Sequence, residues 1–359
     1  MDSSFFTLHF PDLNYSRTHN EKTVGIVRYS CGILFVLFSF SFLYFMVGDL
    51  LAQAQFVYSE GVTKYSIFWG AVIITGVLQL FQWLVALIVR LPVRWYALTY
   101  YPSFVALTML TNIDEWSIHH FSFGMWKWLL PVLLLLFVSL VVLAKSLSKN
   151  EAKTLGNESS ILFPNYIILL AMVVLCGGTQ SASDSYIYEL KTERLILEGR
   201  YDKALKVGQR SLVNSPRLSN LRMYALSMTD SLPEHLFDYP QWYGADGLVV
   251  LADTDTLAHR LTARDITAAL GAPCGKSIIR PERYFQLLLE RNVVLLDSLQ
   301  NIDSTYFAGK DSLLRVHQER LEALRQSVRR VTNYHLCSFL LRRDAIGFLE
   351  AYDKYFGFL

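Results

Sequence analysis

"WLLPVLLLLFVSLVVLA", Trp128 to Ala144, is an unbroken apolar run without an Asp, Glu, Lys or Arg. A helix needs about 20 largely apolar residues to cross roughly 30 Å of hydrocarbon, so this stretch reads as a membrane span. The chain on either side holds more of the same kind. Upstream lie "YSCGILFVLFSFSFLYFMV", Tyr29 to Val47, and "SIFWGAVIITGVLQLFQWLVALIV", Ser66 to Val89. Between these and the opening run sits "WYALTYYPSFVALTMLTNI", Trp95 to Ile113, which is diluted by Tyr, Thr and Pro102. A shorter uncharged run follows at Ile161 to Cys176. The expectation is five spans. The N-terminus is no signal peptide, because Met1 to Lys22 is polar and the first apolar run is too long for an h-region.

The composition agrees. Hydrophobic residues make up 52% of the chain and charged residues 18%, against roughly 25% in a soluble domain. The long apolar runs precede Gly178 and most of the charge follows it, which divides the chain into a membrane part and a water-facing part. A net charge of +2 implies no nucleic-acid footprint.

Orientation follows from the basic residues of the short connections. Arg17, Lys22 and Arg28 precede the first span, Arg90 and Arg94 join the second to the third, and Lys145, Lys149 and Lys153 follow the fourth. The intervening connections have only Lys64 and Lys127. This alternation predicts a cytoplasmic N-terminal segment (1–28), a five-span membrane domain (29–177) and an extracytoplasmic domain (178–359). The membrane implied is the bacterial inner membrane, with the last domain in the periplasm.

From Ser183 the pattern changes to amphipathic helices with polar breaks. A helix through Ile187, Leu190, Leu195 and Leu197 is followed by Gly199, then by a second helix from Tyr201 through Ala204, Leu205 and Leu212 that Pro216 ends. Gly199, Tyr201, Ala204, Ser211 and Pro216 stand at tetratricopeptide-like offsets, so this hairpin resembles that repeat. It departs at Gly208, where an aromatic is usual. A second hairpin is expected from Asn333 to Leu359, with apolar Leu336, Phe339 and Leu340 on one arm and Ile346, Phe348, Leu349 and Tyr352 on the other. Before it, Leu314, Leu321, Leu324, Val328 and Val331 form the stripe of one packed helix. The predicted fold is therefore all-α: a polytopic transmembrane helical bundle followed by an α-helical-repeat-like soluble domain.

The layout, with "LLAQAQFVYSEGVTKYSIFW", "YYPSFVALTMLTNID" and "NYHLCSFLL…FLEAYDKYF", resembles an uncharacterised group of multi-pass membrane proteins of Bacteroidetes-type bacteria. The resemblance implies an architecture and a compartment, and no catalytic motif belongs to it.

"GAPCGKS", Gly271 to Ser277, ends like a phosphate-binding loop. Such a loop needs its first glycine at residue 270, which is leucine, and it needs the amide that Pro273 lacks. The preceding "TARDITAAL" reads as helix where the motif requires a strand. No nucleotide is expected here, and no other cofactor. Cys274 and Cys337 share the oxidising side and are candidates for a disulfide. Asp114, Glu115, His119 and His120 cluster in an external loop, and Glu115 and His119 would share a helix face suited to a metal or to acid–base work. The tryptophans beside them, Trp116, Trp126 and Trp128, give that loop the ordinary reading of a headgroup-level connection. Gln79 and Gln82, one turn apart within a span, read as helix–helix hydrogen bonders.

The function expected is a non-catalytic membrane scaffold or adaptor, in contact with the bilayer and with another envelope protein. Tyr201, Arg222 and Tyr224 are its candidate partner contacts. The alternative is an enzyme or accessory subunit acting on lipid-linked envelope glycans, with Asp49, Glu60, Asp114 and Glu115 as its acids.

Overall fold

The computed structural model describes residues 12–113, 125–150, 158–179, 182–248, 260–269, 281–302 and 311–355. Every regular element within them is helical. The chain divides into two compact units, Met1–Gln55 with Lys64–Ala182 and Phe56–Thr63 with Ser183–Leu359.

In the first unit, helix α1 spans Asp12–Ser41 and continues through a π-helical turn, Phe42–Met46. Helices α2, Gly48–Tyr58, and α3, Ile67–Val89, follow. A 3₁₀ segment, Val93–Tyr100, leads into α4, Tyr101–Thr111, and then come α5, Trp126–Asn150, and α6, Glu158–Gly178. Four stretches are long and apolar enough to cross a membrane: Val24–Met46, Ile67–Val89, Trp126–Leu147 and Ile161–Gly178. They match four of the five expected spans. The connection after the first span is mostly the helix α2, and α1 begins at Asp12, ahead of that span.

The expected third span, Trp95 to Ile113, is not one continuous α-helix. Pro102, at the start of α4, has no N–H to offer Leu98, and Tyr101 donates its own N–H to Leu98 O in the tighter 3₁₀ pattern. The segment is buried from Ala97 to Val105 and packs against α1, α3, α5 and α6. Its low hydropathy has the same cause. Groups that face other helices carry hydroxyls with protein partners, as Ser103 Oγ donates to Leu78 O at 3.0 Å. Asn165 of α6 pins the start of the segment, accepting Ala97 N–H at 2.7 Å and donating to Val93 O at 3.0 Å.

The second unit contains α7, Asp184–Leu197, and α8, Tyr201–Lys206, joined at Gly199. Gly199 takes φ +69° while Arg200 N–H reaches back to Leu195 O at 2.8 Å, a helix stop that glycine makes without a Cβ penalty. The expected second helix of the hairpin ends early, at Lys206 rather than beyond Leu212. Gly208 has φ +58°, and a Cβ there would lie 2.9 Å from Tyr188 Cδ2. The residue that departs from the repeat pattern lies in the turn after the helix, which the chain leaves at the extended Val207. Pro216 does not end that helix; it opens α9, Pro216–Met228, where the Ser215 side chain accepts Leu218 N–H at 3.0 Å.

After α9 come a short α10, Leu232–His235, 3₁₀ turns at Leu236–Asp238 and Gly244–Leu248, and α11, Ala263–Ala269. Helices α12, Pro281–Gln300, and α13, Asp311–Arg342, form a long antiparallel pair, and α14, Ala345–Tyr355, closes the unit. The stripe from Leu314 to Val331 and the first arm of the expected C-terminal hairpin are one helix, α13. On α14, Phe348 and Tyr352 pack on the core, whereas Ile346 and Leu349 face outward. One apolar cluster gathers Leu195, Tyr224, Leu289, Val331 and Tyr334 from α7, α9, α12 and α13.

A buried ionic clamp supplements this core. Glu193 of α7 accepts Leu261 N–H at 2.5 Å, and Arg217 donates to Leu261 O while lying 3.5 Å from Glu193 Oε1. Both backbone groups of Leu261 are thereby satisfied by side chains. Burial pushes the Glu193 carboxyl above its usual range, opposed by the charge of Arg217.

Candidate functional site

Helices α1 and α3 are antiparallel, since the rings of Phe40 and Tyr44 meet that of Phe68 at 6.0 and 6.4 Å at one end of the pair. Toward the other end the two helices line a cleft of about 1120 Å³. The wall from α1 carries Gly25, Arg28, Gly32 and Val36 at three- and four-residue spacing, which puts them on one face. Glycine keeps this face hollow: a Cβ on Gly25 would meet nothing nearer than 4.0 Å.

The back wall is polar and largely self-paired, with Gln79 Oε1 buried and without a hydrogen-bond partner among the described residues. Gln79 Nε2 donates to Gln82 Oε1 at 2.9 Å. Gln82, almost fully buried, donates to Thr99 Oγ1 at 2.9 Å and to Tyr96 OH at 3.2 Å. Thr99 in turn donates to Tyr96 O at 2.8 Å. Among apolar helices an unpaired amide costs several kcal/mol on the order of a lost hydrogen bond in hydrocarbon, so this network fixes α3 against the 3₁₀ segment. The rim is apolar and open. Ile33, Leu37, Trp83 and Leu87 are between 49% and 59% exposed.

Two arginines stand at the mouth. Arg28 lies over the Tyr96 ring at 5.7 Å. Arg90, the C-cap of α3, takes the left-handed conformation (φ 48°, ψ 59°) and donates Nε to Leu87 O at 3.3 Å. A cation at a helix C-terminus is favoured by the backbone dipole, which offsets part of the strain. A wide apolar opening, a largely self-paired polar wall and a basic mouth can hold an elongated amphiphile. The arrangement contains no nucleophile paired with a base among the described residues.

Of the residues singled out in the sequence, Gln79 and Gln82 line this cleft. Arg222 and Tyr224, expected as partner contacts, are buried in the second unit. The Arg222 guanidinium donates to Val207 O and Gly208 O, both at 3.2 Å, and sits 5.0 Å over the Tyr239 ring. Burial lowers its pKa. Tyr224 meets Tyr201 edge to face at 6.4 Å, and its hydroxyl pKa is pushed up to about 12 by burial. These three residues pack the hairpin. Cys337 is a buried free thiol with its pKa pushed up to about 12, also by burial. Cys274, like the rest of "GAPCGKS", lies outside the described residues; the element before it is the helix α11. Asp114, Glu115, His119 and His120 also lie outside them. Asp49 sits in the first turn of α2, and Glu60 takes a left-handed turn conformation at φ 52° in the second unit.

Sequence reasoning missed Arg28, Arg90, Gly25 and Gly32. The three-four spacing of Gly25, Arg28 and Gly32 on α1 was the available signal, and Arg90, at the end of another helix, gave none of this kind. The model of a family of unknown function, DUF6057, matches residues 115–272, a stretch that takes in α5, α6 and the second unit through α11. No curated protein and no solved structure matches the chain.

Proposed function

We propose that this chain is a non-catalytic membrane scaffold that holds a lipid in the α1–α3 cleft and offers its second unit to another envelope protein. The cleft carries the reading: an opening of about 1120 Å³ with an apolar rim, between two helices of membrane-crossing length. Pockets for small ligands usually span about 300–1,000 Å³, so this space is ample for a hydrocarbon chain. The polar wall spends most of its hydrogen bonds on itself.

In this reading the membrane is the bacterial inner membrane, with the N-terminus cytoplasmic and the second unit periplasmic. The alternation of basic connections supports it. A fifth crossing is taken by the segment Val93–Thr111 in this reading, which its burial from Ala97 to Val105 supports.

The test is lipid retention. Gly25→Phe fills the cleft from a position with room for a side chain, and Gly177→Phe, on α6 in open space, is the control. Lipid carried through purification, measured by mass spectrometry, should fall in the first variant and persist in the second. Equal lipid in both would remove the cleft from the function.

A further inference from the structure

We infer that the lipid held in the cleft has a phosphate head, seated between Arg28 and Arg90, and is drawn from the leaflet at that end of the helices. This rests on the lipid-binding reading above. The first observation is position. Because α1 and α3 are antiparallel, with Phe40 and Tyr44 beside Phe68 at the opposite end, residues 28 and 90 share one end of the cleft.

The second observation is uncompensated charge. Neither guanidinium forms an ion pair with a carboxylate among the described residues. Arg28 has an aromatic face beneath it, and Arg90 spends one donor on a backbone carbonyl. Each guanidinium carries five N–H donors in a planar fork that matches phosphate oxygens, so donors remain for an anion. A neutral head would leave two positive charges beside apolar surface with no carboxylate partner among the described residues.

The third observation is length. The α1 wall runs from Val24 to Leu37, about 20 Å at 1.5 Å per residue. Half of a roughly 30 Å hydrocarbon core is about 15 Å, which leaves space at the arginine end for a head at the interface. The cleft is thus one leaflet deep. Beyond the arginines its open rim, formed by Ile33, Leu37, Trp83 and Leu87, is apolar and suited to an acyl chain.

The experiment uses the full chain in nanodiscs with two photoactivatable lipids that carry the same diazirine-bearing acyl chain. One is phosphatidic acid and the other is diacylglycerol, which lacks the phosphate. Phosphatidic acid should label peptides of α1 and α3 roughly tenfold more than diacylglycerol does. Arg28→Gln with Arg90→Gln should bring it down to the diacylglycerol level, while Arg28→Lys with Arg90→Lys keeps most of it. The diacylglycerol labelling of the glutamine variant doubles as the check that its cleft is intact. Equal labelling by the two lipids, or labelling indifferent to the glutamine pair, overturns the phosphate assignment and leaves the cleft reading standing. Suppression by inorganic phosphate alone assigns the arginines to free phosphate and likewise overturns it. Absence of α1 and α3 labelling by either lipid overturns the cleft reading itself.

Discussion

Asn165 Oδ1 accepts the backbone N–H of Ala97 at 2.7 Å, a bond that joins positions 68 residues apart. The same side chain donates to Val93 O at 3.0 Å and to Ile161 O at 2.8 Å, within its own helix. The start of the 3₁₀ segment leaves backbone groups without helical partners, and there is no water among apolar helices to serve them. Asn165→Leu is expected to lower stability by about 1–3 kcal/mol, the cost of leaving buried polar groups unpaired. Thermal unfolding of the detergent-solubilised protein measures this. A variant as stable as the parent would show that the segment is held by packing alone.

Gln82 bonds Thr99 across two elements, and both side chains are buried. A double-mutant cycle of Gln82→Leu and Thr99→Val should return a coupling of about 0.6–2 kcal/mol, the range for hydrogen bonds between membrane helices. Zero coupling would mean that the amide finds other partners and that the polar wall does not anchor the 3₁₀ segment.

These two contacts mark what the sequence makes legible. Gln82 stands out because an amide inside an uncharged run must find a partner on another helix, and only its partner's identity is hidden. Asn165 did not stand out, because one polar residue beside Pro164 near the start of a short span reads as interfacial. The four long apolar helices follow from length and hydropathy alone, whereas Trp95 to Ile113 gives only a diluted signal because its hydroxyls find partners on neighbouring helices. In the second unit, Gly199 announces a helix end, whereas Pro216, read as a stop, opens a helix. Gly208 follows the early end of α8 at positive φ, where a Cβ would crowd Tyr188 and the Arg222 guanidinium. Arg222 itself looked like a surface residue, because composition gives no sign that two backbone carbonyls and an aromatic ring will enclose an arginine.

Arg222 therefore acts through stability. Its donors satisfy Val207 O and Gly208 O, at and just past the end of α8, where helical carbonyls lack partners. Arg222→Met keeps much of the volume and strands both carbonyls, so a loss of about 1–3 kcal/mol is expected. Arg222→Lys, a point charge without the fork, should recover only part of it. Denaturant unfolding of the variants decides this. Partner capture lost at full stability would instead return Arg222 to the binding surface.

His335 supplies a pH dependence. It is buried on α13 between the rings of Phe339 and Tyr355, at 5.0 and 5.9 Å, and its Nδ1 has no hydrogen-bond partner among the described residues. Burial lowers its pKa from 6.5 to about 4, the charge of Lys354 adds to the effect, and Glu290 opposes it. In the unfolded chain the ring takes up a proton near pH 6.5; in the folded chain it does so only near pH 4. Between these values the unfolded state binds more protons, so stability rises with pH across the window and is lost as pH falls through it. The full effect is up to about 3 kcal/mol, from 1.36 kcal/mol per pKa unit. His335→Phe removes the titrating group and keeps an aromatic ring in the apolar site. Its stability should match the parent near pH 7 and exceed it by up to about 3 kcal/mol near pH 4. Parallel pH profiles for the two proteins would assign the acid sensitivity to other groups.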